Sequence, residues 1–209
     1  MTSSVGEAYD AIAEQYAALF IHELDEDVQS QRWLCEFATI AREQAGPVAD
    51  LGCGPGSSVR HLHDLGVDAF GVDLSPGQLA QARRAYPGLP LMVSDLTNLG
   101  HADSALGGIV ARHSIIHLDP AALGGVFAEW RRVLAPGAPL FLSFFGSRTA
   151  AAHGEPFDHK VTTAYQLFPA TVGTELEDAG FEDVQIEANP IAPGGRPFDH
   201  TTMLARLSL

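Results

Sequence analysis

The turn DLGCGPG is the part of the chain whose residue types point most directly to a ligand. It follows the apolar pair 48–49 and contains Asp50, Gly52, Gly54 and Gly56. Glycine has no Cβ, so the backbone of such a turn can approach a bound molecule closely. The spacing is G-x-G-x-G, which differs from the G-x-G-x-x-G of dinucleotide sites and from a phosphate loop ending in GK[ST]. The turn predicts a site for a ligand that is neither a dinucleotide nor a triphosphate; a turn without a ligand is the alternative.

Two further carboxylates follow apolar runs, as Asp50 does. Asp73 ends FGVD and Asp95 follows LMVS. A carboxylate can accept hydrogen bonds from both hydroxyls of a ribose, which fits Asp73, or from an exocyclic amine, which fits Asp95. Either aspartate alone is consistent with a solvated strand end. The three together predict a nucleoside held across neighbouring strand ends.

The elements around these residues alternate between short strands and helices. Strands are predicted at VADL, DAFGVDL, PLMVSDL, GIVARHS and APLFLSFFG, and helices at 57–65, with Ser57 as its cap, 76–86 and 120–134. This alternation is typical of right-handed βαβ units, so the fold class is α/β with a parallel sheet. In such sheets, ligands bind at the carboxyl ends of the strands, where the three aspartates lie.

The flanks of this core have other patterns. Residues 5–20 carry Tyr9, Ile12, Tyr16 and Leu19 at helical spacing, and a second amphipathic helix is predicted at 25–45. After a helix at 169–179, the strands FEDVQIEA and HTTMLARLSL follow each other with only the loop 189–197 between them. Strands joined without a helix pair antiparallel, which predicts a hairpin at one edge of the sheet.

The length of 209 residues predicts one domain. Within it we expect a helical cap at 1–45, a cofactor-binding core at 46–145, a substrate loop or lid at 146–168, and a C-terminal helix and β-hairpin at 169–209.

Charge and composition exclude several classes of partner. Twelve Lys and Arg against 26 Asp and Glu give a net charge of -14, which repels nucleic-acid backbones. No window approaches the roughly 18 apolar residues of a membrane span, and the first residues, MTSSVGEAYD, do not resemble a signal peptide. Two cysteines, Cys35 and Cys53, fit a reducing, cytoplasmic setting. A monomer and a homodimer both remain open.

VADLGCGPG, FGVDLS, MVSDLT and EWRRVLAPGAPLFLSFF occur in an order that resembles the class I S-adenosylmethionine-dependent methyltransferases, particularly bacterial small-molecule members. The resemblance covers about residues 9–142. It implies a Rossmann-like, doubly wound, mostly parallel seven-stranded sheet with an antiparallel C-terminal hairpin and helices on both faces. Two departures occur: Gly107 and Gly108 open a strand that often begins with aspartate, and Ala138 replaces the second glycine of a Pro-Gly-Gly turn. Neither position normally touches the cofactor.

The resemblance also implies the cofactor, S-adenosylmethionine, with S-adenosylhomocysteine as product and a small molecule as partner. Around the methionine part of the cofactor it implies Asp50, Gly52 and Gly54, a backbone carbonyl at Arg112 for the ammonium, and Tyr16 closing over the site. Around the adenosine it implies Asp73 at the ribose, Leu74 packing on adenine, Asp95 at the adenine amine and the Leu96 amide near the ring.

The implied reaction is in-line transfer of a methyl group from a sulfonium. Well-oriented reactants reach effective molarities of about 10⁵–10⁸ M, so proximity is expected to supply most of the rate. A hydroxyl acceptor would gain about 10²–10⁴-fold from a base. His117 in ARHSIIHLDP is the predicted base and His113 is nearer the strand end, while a structural role is the alternative for each. Oxygen, nitrogen, sulfur and carbon acceptors all remain open.

The acceptor pocket is expected between the N-terminal helices and residues 146–168. Aromatic residues there indicate a small apolar or aromatic acceptor, although they also suit a core. They are Phe144, Phe145, Phe157, Tyr165 and Phe168.

The loop also contains HGEPFDHK, with His153, Glu155, Asp158 and His159, but lacks any HExxH or Cys/His spacing, so no metal site is predicted. The string PFDH recurs at 197–200, which we interpret as coincidence or a similar turn.

Two other functions compete with methyl transfer. An NAD(P)-dependent reductase would need the third glycine inside the helix, which this motif lacks. A non-catalytic nucleoside-binding protein would keep the three aspartates without turnover.

Overall fold

A computed structural model describes residues 2–190 and 198–209 of the chain. In these residues, seven strands form one sheet in the order β3-β2-β1-β4-β5-β9-β8, with β1 to β5 parallel and β9 antiparallel to both β5 and β8. The strands are β1 (Val48–Leu51), β2 (Ala69–Asp73), β3 (Leu91–Val93), β4 (Gly108–Arg112), β5 (Pro139–Ser147), β8 (Phe181–Pro190) and β9 (Phe198–Leu207). The predicted α/β class, the seven-stranded sheet and its antiparallel C-terminal hairpin are confirmed.

Helices cover both faces of the sheet. The helices are α1 (Thr2–Ala11), α2 (Ala13–Phe20), α3 (Glu23–Glu26), α4 (Val28–Ala41), α5 (Ser57–Asp64), α6 (Pro76–Ala85), α7 (Leu123–Val133) and α8 (Pro169–Asp178). One apolar core joins α4, α5 and α6 to one face, and another joins α7 and α8 to the other. Both faces of the central strand β1 are therefore buried, which explains why VADL is a continuous run rather than an alternating one.

The predicted N-terminal helices are each divided in two. The helix expected at 5–20 is broken at Ile12, whose φ of -123° is not helical, so α1 and α2 are separate. The helix expected at 25–45 begins as the short α3, and α4 starts only after Asp27. The Asp27 carboxylate accepts a hydrogen bond of 2.9 Å from the Ser30 amide, which makes Asp27 an N-cap and fixes the start of α4 there.

Three local predictions at the carboxyl ends of the strands differ from the structure. The N-cap of α5 is Gly56, with φ of +86° and no side-chain cap, so Ser57 is the first helical residue and not the cap. Strand β3 contains only Leu91–Val93 of the predicted PLMVSDL. Strand β4 ends at Arg112 because His113 has a φ of +51°, which no β-strand accommodates.

Residues 146–168 are more regular than the sequence indicates. β5 continues to Ser147, a 3₁₀ turn follows at Ala150–Ala152, and β6 (Pro156–Asp158) pairs antiparallel with β7 (Thr163–Tyr165). Most of the predicted loop 189–197 and the first residue of the second PFDH lie outside the described residues. Within residues 2–190 and 198–209, no helix has both the length and the apolar character needed to cross a lipid bilayer.

Candidate functional site

A cleft opens at the point in the sheet where the strand order reverses. β1 pairs with β2 on one side and β4 on the other, so the chain leaves these strands toward opposite sides and a crevice forms at their carboxyl ends. The cleft encloses about 620 Å³, counting its open mouth. Eight of the ten residues predicted to bind the cofactor or act as base line it: Tyr16, Gly52, Gly54, Asp73, Leu74, Leu96, Arg112 and His117.

The glycine turn forms one wall of the cleft. Gly52, Gly54 and Gly56 have φ values of +75°, +50° and +86°, which side chains other than glycine rarely adopt. A Cβ on Gly52 would lie 2.5 Å from the Cβ of Ser114, whereas no atom lies within 4 Å of the Cβ position of Gly54. Gly52 is therefore required by packing as well as by its backbone, and the space beside Gly54 is open.

Asp73 is held in a fixed orientation at the end of β2. Its Oδ2 accepts 2.8 Å from the Gly54 amide and its Oδ1 accepts 2.8 Å from the Ser75 amide. Burial raises the pKa of Asp73, although these amide hydrogen bonds oppose the shift. A carboxylate oxygen has two lone pairs, so each still has capacity for a ligand hydroxyl.

Asp50 lies below the turn in an adjoining cavity, which Gly52, Gly54 and Arg112 also line. Its side chain is 1% exposed, and its Oδ2 has no hydrogen-bond partner among the described residues. Burial raises the pKa of Asp50 to about 7; Arg112 opposes this shift and Asp73 adds to it. A cation beside Asp50 would stabilise its ionised form.

The Arg112 guanidinium is only partly paired. Its Nη2 lies 3.7 Å from the Asp27 carboxylate and its Nη1 donates 3.4 Å to Ser58, while Nε has no partner among the described residues. The predicted role of Arg112 concerned its backbone carbonyl. Its side chain adds a positive charge to the same end of the cleft.

His117 is hydrogen-bonded at both ring nitrogens. Nδ1 lies 2.9 Å from the Thr163 carbonyl, and since a carbonyl only accepts, Nδ1 carries the proton and Nε2 accepts from the Tyr9 hydroxyl 2.9 Å away. Burial lowers the pKa of His117 and raises that of Tyr9. Tyr9 also lines the cleft, and its ring packs against Tyr16 at 5.2 Å. Sequence reasoning missed Tyr9 as a site residue because its helical spacing with Tyr16 indicated only a packed face.

His113 lies at the junction of the cleft with two other cavities. Its positive φ lets the imidazole pack against Phe145 at 4.9 Å and His200 at 5.3 Å. Nδ1 is buried without a partner among the described residues, and burial followed by the nearby Arg112 holds its pKa well below the usual histidine range. His113 is therefore a neutral imidazole with a free nitrogen.

Asp95 is the predicted cofactor residue that the described linings of the cleft and the Asp50 cavity do not include. Its Oδ1 accepts 2.8 Å from the Thr97 amide and 2.7 Å from the Thr97 hydroxyl. The chain has already left β3 at Val93, so Asp95 begins a turn. Its contact with an adenine amine stays a prediction.

The aromatic residues near the predicted lid pack mainly against one another. Phe144 is fully buried in the core, while Phe145 and Phe157 lie 5.7 Å apart and both contact Phe198. In the predicted metal-lacking loop, His153 accepts a 3.0 Å hydrogen bond from the Phe168 amide. Across the described part of the chain, no three side chains of His, Cys, Asp or Glu are grouped so as to hold a metal ion.

Comparison of the sequence with known proteins finds methyltransferases. Residues 48–137 match the family described as "Methyltransferase domain". The chain is 33% identical over 100 residues to a demethylmenaquinone methyltransferase of Beutenbergia cavernae (48% of this chain, 41% of that one). It is 39% identical over 80 residues to a trans-aconitate 2-methyltransferase of Escherichia coli (37% and 31%). The matches thus span less than half the length of these curated relatives.

Solved structures share the architecture at low sequence identity. The [4+2]-cyclase SpnF superposes with a TM-score of 0.76 over 100% of this chain and 98% of its own, at 17% identity. At this identity the likeness concerns the fold alone.

Proposed function

Because the chain belongs to the class I S-adenosylmethionine-dependent methyltransferases, we propose that it transfers a methyl group from S-adenosylmethionine to a small-molecule acceptor, a metabolite or natural-product intermediate. One observation carries the proposal. Asp50 is a buried carboxylate with an unpartnered oxygen directly beneath an open glycine turn, and Asp73 is held at the neighbouring strand end. This arrangement suits a ligand with a cationic amino group and a ribose.

The residues present fit this cofactor. Asp50 would bind the ammonium of its amino-acid part, the open space at Gly54 would admit its backbone, and Asp73 would accept from the ribose hydroxyls. Tyr16, Leu74 and the remaining predicted residues keep the roles that the family resemblance implies. When bound, the cofactor supplies an electrophilic methyl group on a positively charged sulfur.

The chain itself must then hold the acceptor in line and, for an acceptor that loses a proton, receive that proton. The hydrogen-bonded series Tyr9–His117–Thr163 supports a relay. The acceptor would give its proton to the Tyr9 oxygen as the Tyr9 proton moves to His117 Nε2, while Thr163 keeps His117 Nδ1 protonated. In this proposal, His117 is the base predicted from the sequence, but it acts through Tyr9.

We also propose that two segments enclose the cleft. Residues 1–45 would serve as a cap and 146–168 as a lid, since Tyr9 of α1 and Thr163 of β7 both reach His117. Cys35 is exposed, Cys53 is buried and both are free thiols, which supports a reducing, cytoplasmic setting. The net charge of -14 supports small-molecule over nucleic-acid partners, with either a monomer or a homodimer.

Calorimetry with S-adenosylhomocysteine, NADH and NADPH tests the cofactor. We expect saturable binding of S-adenosylhomocysteine only. Binding of a nicotinamide coenzyme in its place would favour the reductase, which the glycine spacing already opposes.

The second candidate is a protein that binds the nucleoside without transferring its methyl group. It is favoured by one observation: Asp50 and Asp73, on which the proposal rests, would bind the cofactor and take no part in the transfer itself. Incubation with methyl-labelled S-adenosylmethionine and candidate acceptors separates the two. Labelled product supports the transferase, whereas cofactor binding with no product from any acceptor supports the alternative.

A further inference from the structure

A further cavity lies between the N-terminal helices and the β5–β9–β8 part of the sheet. It encloses about 1130 Å³, counting its open mouth. Glu23 and Glu26 of α3 and the capping residue Asp27 form one side, and His113 and Ser143 lie on the sheet side. We call it the acidic cavity.

Ser143 gives the acidic cavity a buried polar group without a partner. The residue is 3% exposed, and its Oγ has no hydrogen bond among the described residues. In the ladder it is paired with Thr202, and alternation along β5 puts it on the same face as Phe141, which packs in the α4 core. A buried hydroxyl without a partner destabilises a fold, so its place on the cavity wall indicates a ligand.

The charge of this cavity selects among ligands. Its described lining contains three carboxylates and no lysine or arginine. Asp27 is already engaged, since it caps α4 and lies 3.7 Å from Arg112. Glu23 and Glu26 form no ion pair with any described residue, so their charges remain available to a ligand.

One aromatic side chain complements these charges. Phe20 lines the same cavity, and its ring packs 4.5 Å from that of Tyr16. An aromatic face beside carboxylates favours organic cations, because the ring quadrupole attracts positive charge.

The acidic cavity adjoins the cofactor cleft. His113 lines both, and Phe20 and Glu23 also line the Asp50 cavity that lies between them. A molecule in the acidic cavity would therefore extend toward the end of β4, where the methionine part of the cofactor is expected.

We infer that the acidic cavity binds the methyl acceptor through an organic cation, an ammonium group that is not itself methylated. A separate nucleophilic atom of the same molecule, which carries the lone pair that attacks the methyl group, would reach the cofactor cleft. The inference rests on the proposed function and replaces the apolar acceptor indicated by the sequence. Glu23 and Glu26 provide the counter-charge, Phe20 provides an aromatic face, and Ser143 provides a hydrogen bond to a polar group of the ligand.

Choline and its uncharged isostere 3,3-dimethylbutanol are the probes for this inference. Titrations are made calorimetrically at pH 8, above the usual titration range of histidine, with S-adenosylhomocysteine present. We expect saturable choline binding, at least tenfold tighter than that of 3,3-dimethylbutanol. Glu23→Gln and Glu26→Gln should each weaken choline binding by about threefold or more, while Glu36→Gln, on the exposed side of α4, should not.

Absent choline binding, equal affinity for the two probes, or unchanged affinity in both glutamine variants would overturn the inference. Ser143→Ala keeps the test independent of folding. Its melting temperature should match or exceed that of the parent, because only an unpartnered hydroxyl is removed, while its choline affinity falls. A lower melting temperature would show that Ser143 has a structural partner instead.

The outcome is separable from that of the proposed function. If S-adenosylhomocysteine binds and choline does not, only the acceptor class is wrong. If S-adenosylhomocysteine itself does not bind, the proposed function is wrong.

Discussion

Asp50 interrupts an apolar strand, Val48–Leu51, that is buried along its whole length. Burial of an unpaired carboxylate opposes folding, and the chain retains it where a cationic ligand group would offset the cost.

The folded pKa of Asp50 is about 7 against an ordinary value of 3.8. Between these values the unfolded chain loses the proton while the folded chain keeps it, so this group's contribution to stability falls as pH rises from about 4 to about 7. Asp50→Asn removes that loss. Thermal unfolding of the ligand-free protein should show the variant gaining on the parent from pH 5 to about 7, with no further gain above. Asp68→Asn, an exposed control, should show a constant difference, and a pH-independent difference for Asp50→Asn would contradict the assignment.

Substitution of Asp73 should lower the affinity for the cofactor product. Asp73→Ala removes a charged acceptor and also releases the Gly54 amide, so affinity for S-adenosylhomocysteine should fall about tenfold or more, as expected when hydrogen bonds to a charged group are lost. Calorimetry measures the change, and Asp68→Ala serves as the control. Parental affinity in Asp73→Ala would show that the ribose binds elsewhere.

Substitutions in the Tyr9–His117 pair should lower the turnover rate. Tyr9→Phe and His117→Ala should each lower kcat by about tenfold or more for an acceptor that loses a proton, with little change in cofactor affinity. Residues that act as one relay are not additive, so the double variant should be no slower than the slower single one. Unchanged rates in both single variants would assign the pair a structural role.

Among the elements, α1 contributes Gly6 and Tyr9 to the lining of the cleft. Asp10 accepts from the Ser75 hydroxyl at 2.5 Å and from the Gly77 amide at 2.7 Å, which fastens α1 to the start of α6. Gly6 permits close packing, since a Cβ there would lie 3.0 Å from the Leu74 carbonyl oxygen. The two contacts keep Tyr9 in reach of His117.

Asp10→Ala should loosen this helix. We expect dissociation of S-adenosylhomocysteine to be several-fold faster. Stability should fall by about 1 kcal/mol, because the Gly77 amide in the first turn of α6 loses its side-chain acceptor, as it would on loss of a helix cap. Stopped-flow displacement and thermal unfolding measure the two effects. Glu7→Ala, also exposed on α1, should change neither; equal dissociation rates in Asp10→Ala and the parent would mean that α1 does not cover the bound ligand.

The sequence predicts these elements where local chemistry determines them. The apolar run at β1, the glycines after it and the aspartate at the end of β2 require no information from elsewhere in the chain. The positive φ of His113, the Tyr9–His117 bond and the fastening by Asp10 join residues far apart in sequence, so no local pattern contains them. β3 is overestimated because the prediction continued through Ser94 to Leu96, where the chain has left the sheet and the Asp95 carboxylate accepts hydrogen bonds from Thr97 in a turn.

For the whole molecule, the cleft couples ligand binding to stability. It draws on α1, the turns after β1 and β2, and the end of β4, so a bound ligand favours the folded state of all of them. At 100 times its dissociation constant, S-adenosylhomocysteine should add about 2.7 kcal/mol, or about 5–10 °C in melting temperature for a chain of this size. Differential scanning fluorimetry measures this; NADH should give no shift, and an equal shift with NADH would contradict the cofactor assignment.

The order of strands at the C-terminal edge has a consequence for biosynthesis. In the described chain, β8 pairs only with β9, which is translated later and lies between β8 and β5. When β8 leaves the ribosome, its peptide groups have no strand to pair with until the following seventeen residues, which include β9, have also emerged. Any slowing of translation over that interval would lengthen the time during which a nascent strand edge can associate with other polypeptides.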